Sequence, residues 1–175
     1  VMSELIQGLS GSEGSMRESS GALLGANIKA ASLDIVMEHV EAIIPLLVKN
    51  MLTDKYLPAM TCALDTFIEL TSKITKETMI KHMEEITSTI ASSPNTEGLG
   101  LPKVFESLWV IYQQALMFGT PASREAAATG LVVLVENTPV ERLKPNAIKV
   151  TGPLIRVLGD RYPPVVRLAL LKTLQ

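Results

Sequence analysis

Two histidines, one cysteine and an aromatic content of 4% leave this 175-residue chain short of most side chains that carry chemistry. The lone Cys62 excludes an intramolecular disulfide, and its neighbours Met60, Ala63 and Leu64 are those of a small buried hydrophobe. A reducing compartment, the cytoplasm, is the expectation that follows. No apolar run approaches the roughly 18 residues that a membrane span requires, and no signal peptide opens the chain, so no membrane contact is expected. A net charge of −2, from 16 basic and 18 acidic residues, gives no excess of the kind that nucleic-acid binding calls for.

Catalytic arrangements are missing as well. His39 and His82 each lie on a predicted helix near a glutamate (Glu38 and Glu84), the pattern of a surface helix. One cysteine and two distant histidines lack zinc-ligand spacing. There is no glycine-rich phosphate loop with a lysine, no G-x-G-x-x-G and no G-x-S-x-G. Gly8, Gly11 and Gly14 are spaced three apart, but they divide two helices and follow no strand. The reading is a chain that is not an enzyme, with no cofactor, no metal and no small-molecule substrate.

What the chain does have is aliphatic residues in a repeating order. Hydrophobic residues make up 47%, and with so few aromatics the core must come from Leu, Ile, Val, Ala and Met, which suits interlocking helices better than a sandwich or barrel. Three segments place an arginine seven positions before a leucine: Arg17 and Leu24, Arg124 and Leu131, Arg167 and Leu174. Small residues lie between: Ser19 and Ser20, Ala126 to Ala128, and Ala169. A degenerate fourth copy runs from Met60 through Cys62 and Ala63 to Phe67. The anchors at 17, 60, 124 and 167 stand 43, 64 and 43 residues apart. HEAT and armadillo units run about 40–47 residues, so the middle interval calls for an insertion. Seven residues is about two helical turns, which puts each arginine and leucine on one face, with small residues that let a neighbouring helix approach.

The fold expected is all-α, an α-solenoid of HEAT-like antiparallel helix pairs with about four repeats and roughly nine helices. The stretches are 2–9, 14–29, 34–51, 55–73, 76–91, 103–117, 121–136, 146–158 and 164–175, in a single segment over 1–175. Both ends fall inside apolar helical patterns, which reads as a piece cut from a longer solenoid. Met79, Met83, Ile86 and Ile90, and then Val104, Leu108, Ile111 and Ala115, form one-sided apolar stripes. Thr138-Pro139-Val140-Glu141 reads as a capping box over a short turn ended by Pro145. Thr120-Pro121 and Tyr162-Pro163-Pro164 read as helix starts, and Gly119 and Gly159 as helix stops. Residues 92–102, rich in turn formers, read as an inserted inter-helix loop between 76–91 and 103–117, which share the first-helix position of the third unit.

The segment from Thr151 to Pro164 holds the densest unusual chemistry. Arg156 falls near a helix end, Asp160 and Arg161 in the following turn, and Arg167 on the next helix. Asp160 and Arg167, with Arg17 and Arg124, fit an internal Asp–Arg ladder between stacked turns. Arg156 and Arg161, an arginine pair at an inter-helix turn, are well placed for a protein interface.

Four runs carry a resemblance: Leu101-Pro102-Lys103, Gly119-Thr120-Pro121-Ala122-Ser123-Arg124-Glu125-Ala126-Ala127, Leu143-Lys144-Pro145, and Ile148-Lys149-Val150-Thr151-Gly152-Pro153-Leu154-Ile155-Arg156-Val157-Leu158-Gly159-Asp160-Arg161-Tyr162. Over about residues 100–175 the chain closely resembles the general-control translational activator family, very large HEAT-repeat proteins that help activate the kinase of translation initiation factor two alpha. The first hundred residues match only as generic HEAT helices. The resemblance implies a position in the C-terminal part of such a protein, where the family presents a surface to the kinase's RWD domain while other regions engage ribosomes. It makes Arg156 and Arg161 the candidate RWD contacts, whereas Pro163-Pro164 departs from the family pattern. Two other readings stand beside it: a purely architectural HEAT spacer, and a HEAT scaffold of another complex, such as a transport receptor, phosphatase scaffold or tubulin-binding protein.

Overall fold

The structure is a computed structural model that describes residues 1–93, 96–158 and 163–174. The described residues are helical with turns between, and no strand occurs among them. They form two compact units, residues 1–75 with 93–98, and residues 76–92 with 99–175.

In the first unit α1 (Met2–Gly8) and α2 (Gly14–Ala30) are followed by α3 (Leu33–Thr53) and α4 (Leu57–Lys73). α3 carries Pro45 in its interior, which costs the bond its missing N–H would have made. The helix continues because buried residues flank the proline on both sides, Val40, Ile43 and Ile44 before it and Leu47 and Val48 after it. α2 packs against α4 through its small residues. A Cβ on Gly21 would lie 3.1 Å from the Cys62 sulfur, and one on Gly25 would lie 3.2 Å from the Thr66 hydroxyl. At that separation the side chains of α4 reach the backbone of α2. The Cys62 thiol donates to the Glu18 carbonyl (3.3 Å) and the Thr66 hydroxyl to the Gly21 carbonyl (3.0 Å), while the Lys73 ammonium donates to the carbonyls of Ile28, Lys29 and Ala31. Partner numbers rise together, so the two helices run in the same direction, one repeat apart. Cys62, expected in the core, is half-buried; burial pushes its thiol pKa above the ordinary value, with the charges of Asp65 and Glu18 adding to the rise against the bond to Thr66.

In the second unit α5 (Lys76–Lys81), α6 (Met83–Ser92), α7 (Val104–Phe118) and α8 (Pro121–Asn137) precede a short α9 (Val140–Leu143), a 3-10 turn (Lys144–Asn146), α10 (Ala147–Val157) and α11 (Pro164–Thr173). α8 packs against α6, α7 and α11, and α5 packs against α7. Both expected stripes are buried, Met79, Met83, Ile86 and Ile90 as well as Val104, Leu108, Ile111 and Ala115. The Thr120 hydroxyl caps α8 by accepting from the Ser123 N–H (3.2 Å), and Gly119 stops α7.

Three local expectations are corrected. Stretch 76–91 is not one helix: it breaks at His82, whose N–H bonds Met79 three residues back. The resulting α6 packs against α8 instead of sharing the first-helix position with α7. The 64-residue interval therefore contains a short helix pair. His82 itself is buried, not on a surface face, with Nδ1 3.5 Å from Glu85 Oε2. The Thr138 capping box does not form, because the Thr138 hydroxyl donates backwards to the Leu134 carbonyl (2.6 Å) and Pro139 takes the cap position.

Gly130 shows how closely α8 approaches its neighbours. A Cβ there would stand 2.5 Å from both the Thr87 hydroxyl of α6 and the ring of Tyr112 on α7. Those two side chains hydrogen-bond to each other at 2.7 Å, and burial pushes the Tyr112 phenol up to about 12. Gly152 on α10, in contrast, has no atom within 4 Å of its Cβ direction. Glycine to alanine should therefore act oppositely at the two helical positions. Gly130→Ala lowers stability by about 1 kcal/mol through overpacking, and Gly152→Ala raises it by about 0.5–1 kcal/mol through helix propensity. Urea midpoints of the two variants check the signs.

Candidate protein-binding surface

α10 is held in place from below. Arg142 donates through Nε to the Gly100 carbonyl (2.7 Å), and the buried Asn146 donates through Nδ2 to Glu106 Oε1 of α7 and to the Arg142 carbonyl, both at 3.0 Å. Above this footing Leu154 and Val157 are buried and Val150 is half-buried, at the three- and four-residue spacing of an inward face. The outward face carries Ile148, Lys149, Gly152, Ile155 and Arg156, all exposed, with Ile148 at 89% and Ile155 at 60%. Arg156 lies in the last turn, where a cation meets the favourable end of the helix dipole.

Arg161 and Asp160 lie outside the described residues. Arg124 is half-buried in the first turn of α8, and Arg167 half-buried on α11. Arg17 makes a two-pronged ion pair with Asp54, Nε to Oδ2 at 2.6 Å and Nη2 to Oδ1 at 2.7 Å, and Nη1 also donates to the carbonyls of Gly11 and Ser12. Burial pushes the Asp54 carboxyl up, but the bond from Arg17, the Tyr56 N–H (2.9 Å) and the arginine's charge together hold it below its ordinary value. The bond to Asp54 likewise raises the Arg17 pKa. This pair ties the turn between α1 and α2 to the turn between α3 and α4.

Asp54 was not singled out from the sequence, though a signal existed: Asp54-Lys55-Tyr56-Leu57-Pro58 recurs in type as Asp160-Arg161-Tyr162-Pro163-Pro164. The near-zero net charge also hid a segregation. Residues 142–175 carry seven of the 16 basic residues and one of the 18 acidic ones. Among the described residues no group of acidic, histidine and cysteine side chains has the arrangement of a metal site, and no helix is long and apolar enough to cross a membrane.

Over 99% of its length the chain is 32% identical to protein ILITYHIA of Arabidopsis thaliana and 25% identical to the stalled ribosome sensor GCN1 of Homo sapiens. Over 44% of its length it is 40% identical to the eIF-2-alpha kinase activator GCN1 of Dictyostelium discoideum. The chain belongs to the GCN1 family. It spans 7% of the length of the Arabidopsis and human relatives and 3% of the Dictyostelium one. No protein-family model matches this GCN1-family chain, and no solved structure matches it significantly.

Proposed function

We propose that the chain is a non-catalytic protein-binding scaffold segment that recruits the eIF-2-alpha kinase, through the kinase's RWD domain, to ribosomes in the cytoplasm, and so promotes the response to amino-acid starvation. Relatives named as kinase activators and as stalled ribosome sensors support the reading. The observation that carries it is the exposed Arg156 at the end of α10, on a face that presents cations outward. Arg161 joins it on sequence grounds alone. The contribution is proximity: a kinase held near the ribosome works at a raised effective concentration there. Contact with ribosomes belongs, on this reading, to other parts of the longer protein.

The first unit fits the architectural reading instead. Arg17 is committed to Asp54, whose side chain is 2% exposed, so this arginine is spent inside the framework and is not presented to a partner. We assign Arg17, Arg124, Asp160 and Arg167 to this internal framework.

Calorimetry of the chain with the isolated RWD domain tests the reading. Arg156→Ala should weaken binding by about tenfold, as an interface arginine does, while the helical circular-dichroism signal stays unchanged. A folded chain that shows no heat of binding to the RWD domain removes the recruitment role and leaves the spacer.

A further inference from the structure

The outward face of α10 is built as two parallel rows. Ile148 and Ile155 form one and Lys149 and Arg156 the other, each pair seven residues and so about 10 Å apart along the axis. Gly152 lies between them with open space in front of it. The face sits in the stretch where the chain's positive charge collects, seven basic residues against one acidic. We propose that it docks an acidic amphipathic helix of a protein partner. The partner's apolar residues pack on Ile148 and Ile155, its backbone comes close at the Gly152 notch, and its carboxylates meet Lys149 and Arg156. Charge complementarity sets the sign of the partner and the isoleucines set its kind. Helix-on-helix docking uses anchors at this spacing, whereas a phosphate backbone has no use for isoleucines at 89% and 60% exposure. RNA would also want aromatic platforms, and residues 140–158 contain no aromatic side chain.

The inference deepens the kinase-binding reading and rests on it for the choice of the first probe, the RWD domain. Three variants separate the terms: Ile148→Ser with Ile155→Ser, Gly152→Leu, and Lys149→Glu with Arg156→Glu. All sit on exposed positions, and circular dichroism confirms that each stays folded. The serine pair and Gly152→Leu should each weaken RWD binding by about tenfold, and the serine pair should make the heat-capacity change of binding less negative. The glutamate pair should abolish binding. RWD binding that falls only in the glutamate pair overturns the helix-docking inference and leaves recruitment intact. Tighter binding of single-stranded oligouridine than of the RWD domain, indifferent to the serine pair, overturns it in favour of RNA. If the RWD domain does not bind at all, a helical Glu-rich peptide with leucines seven residues apart is the probe. Binding that the serine pair removes upholds the docking face for another partner, and no binding overturns it.

Discussion

Arg17→Ala is expected to destabilise the first unit by about 3 kcal/mol, because breaking a buried pair from one side leaves the other charge uncompensated. The Asp54 side chain is 2% exposed and that of Arg17 17% exposed, so the pair is largely shielded from solvent. The loss includes the donors to Gly11 and Ser12, which hold the α1–α2 turn. Replacing both partners with apolar residues of similar size should cost much less than replacing one, as follows when desolvation is the dominant cost. The pH dependence has a definite sign. The Asp54 carboxyl is held below its ordinary value in the folded chain, so its contribution is present above the unfolded carboxylate value of about 3.9 and is lost as pH falls through the folded value. The gap between the unmodified chain and Arg17→Ala should therefore be full at neutral pH and shrink in acid below about pH 4. Urea unfolding at neutral and acid pH measures it, and a gap that widened in acid would contradict this account of the pair.

Phe67→Ala should cost about 3–5 kcal/mol, the range for removing a buried aromatic side chain. Phe67 is completely buried on α4. Its neighbours cannot collapse freely into the space, since α4 is also fastened to the backbone of α2 through Cys62, Thr66 and Lys73. Phe67→Leu, which keeps most of the volume, should cost about 1 kcal/mol. A shift of urea midpoint at unchanged slope would mark the effect as stability alone.

Phe67 was also the residue that made the second repeat hard to read. The fold was legible wherever the period lay in small residues and aliphatics: the 43-residue spacing of Arg17 to Met60 appears in space as α2 lying along α4. It was least legible between 60 and 124, where no arginine marks the repeat. The close approach of Thr87 to Gly130, again 43 positions on, and the packing of α6 on α8 show that α6 holds the place that periodicity assigns to a second helix. Continuous apolar spacing through Met79 and Met83 concealed the break at His82, because a stripe stays in phase across a one-residue tight turn. The candidate site was legible in part. Arg156 could be placed from its motif, but nothing in that motif says that Ile148 and Ile155 face outward while Leu154 and Val157 are buried. Asp54 escaped because its partner lies 37 residues away, and pairing at that distance is visible only when one turn is laid over the next.

The fastening of α4 to α2 fixes what changes of length the chain can absorb. Every cross-helix bond from Cys62 to Lys73 joins residues 42 to 45 apart. One residue added inside α3 would rotate its buried face by about 100°, and one added inside α4 would carry Thr66 and Lys73 past their carbonyls together. Extra residues can be taken up in the turns without that penalty, or as a whole period that brings its own helix pair and its own set of bonds. Such a chain lengthens in quanta, and each added period keeps the same local geometry at its joints.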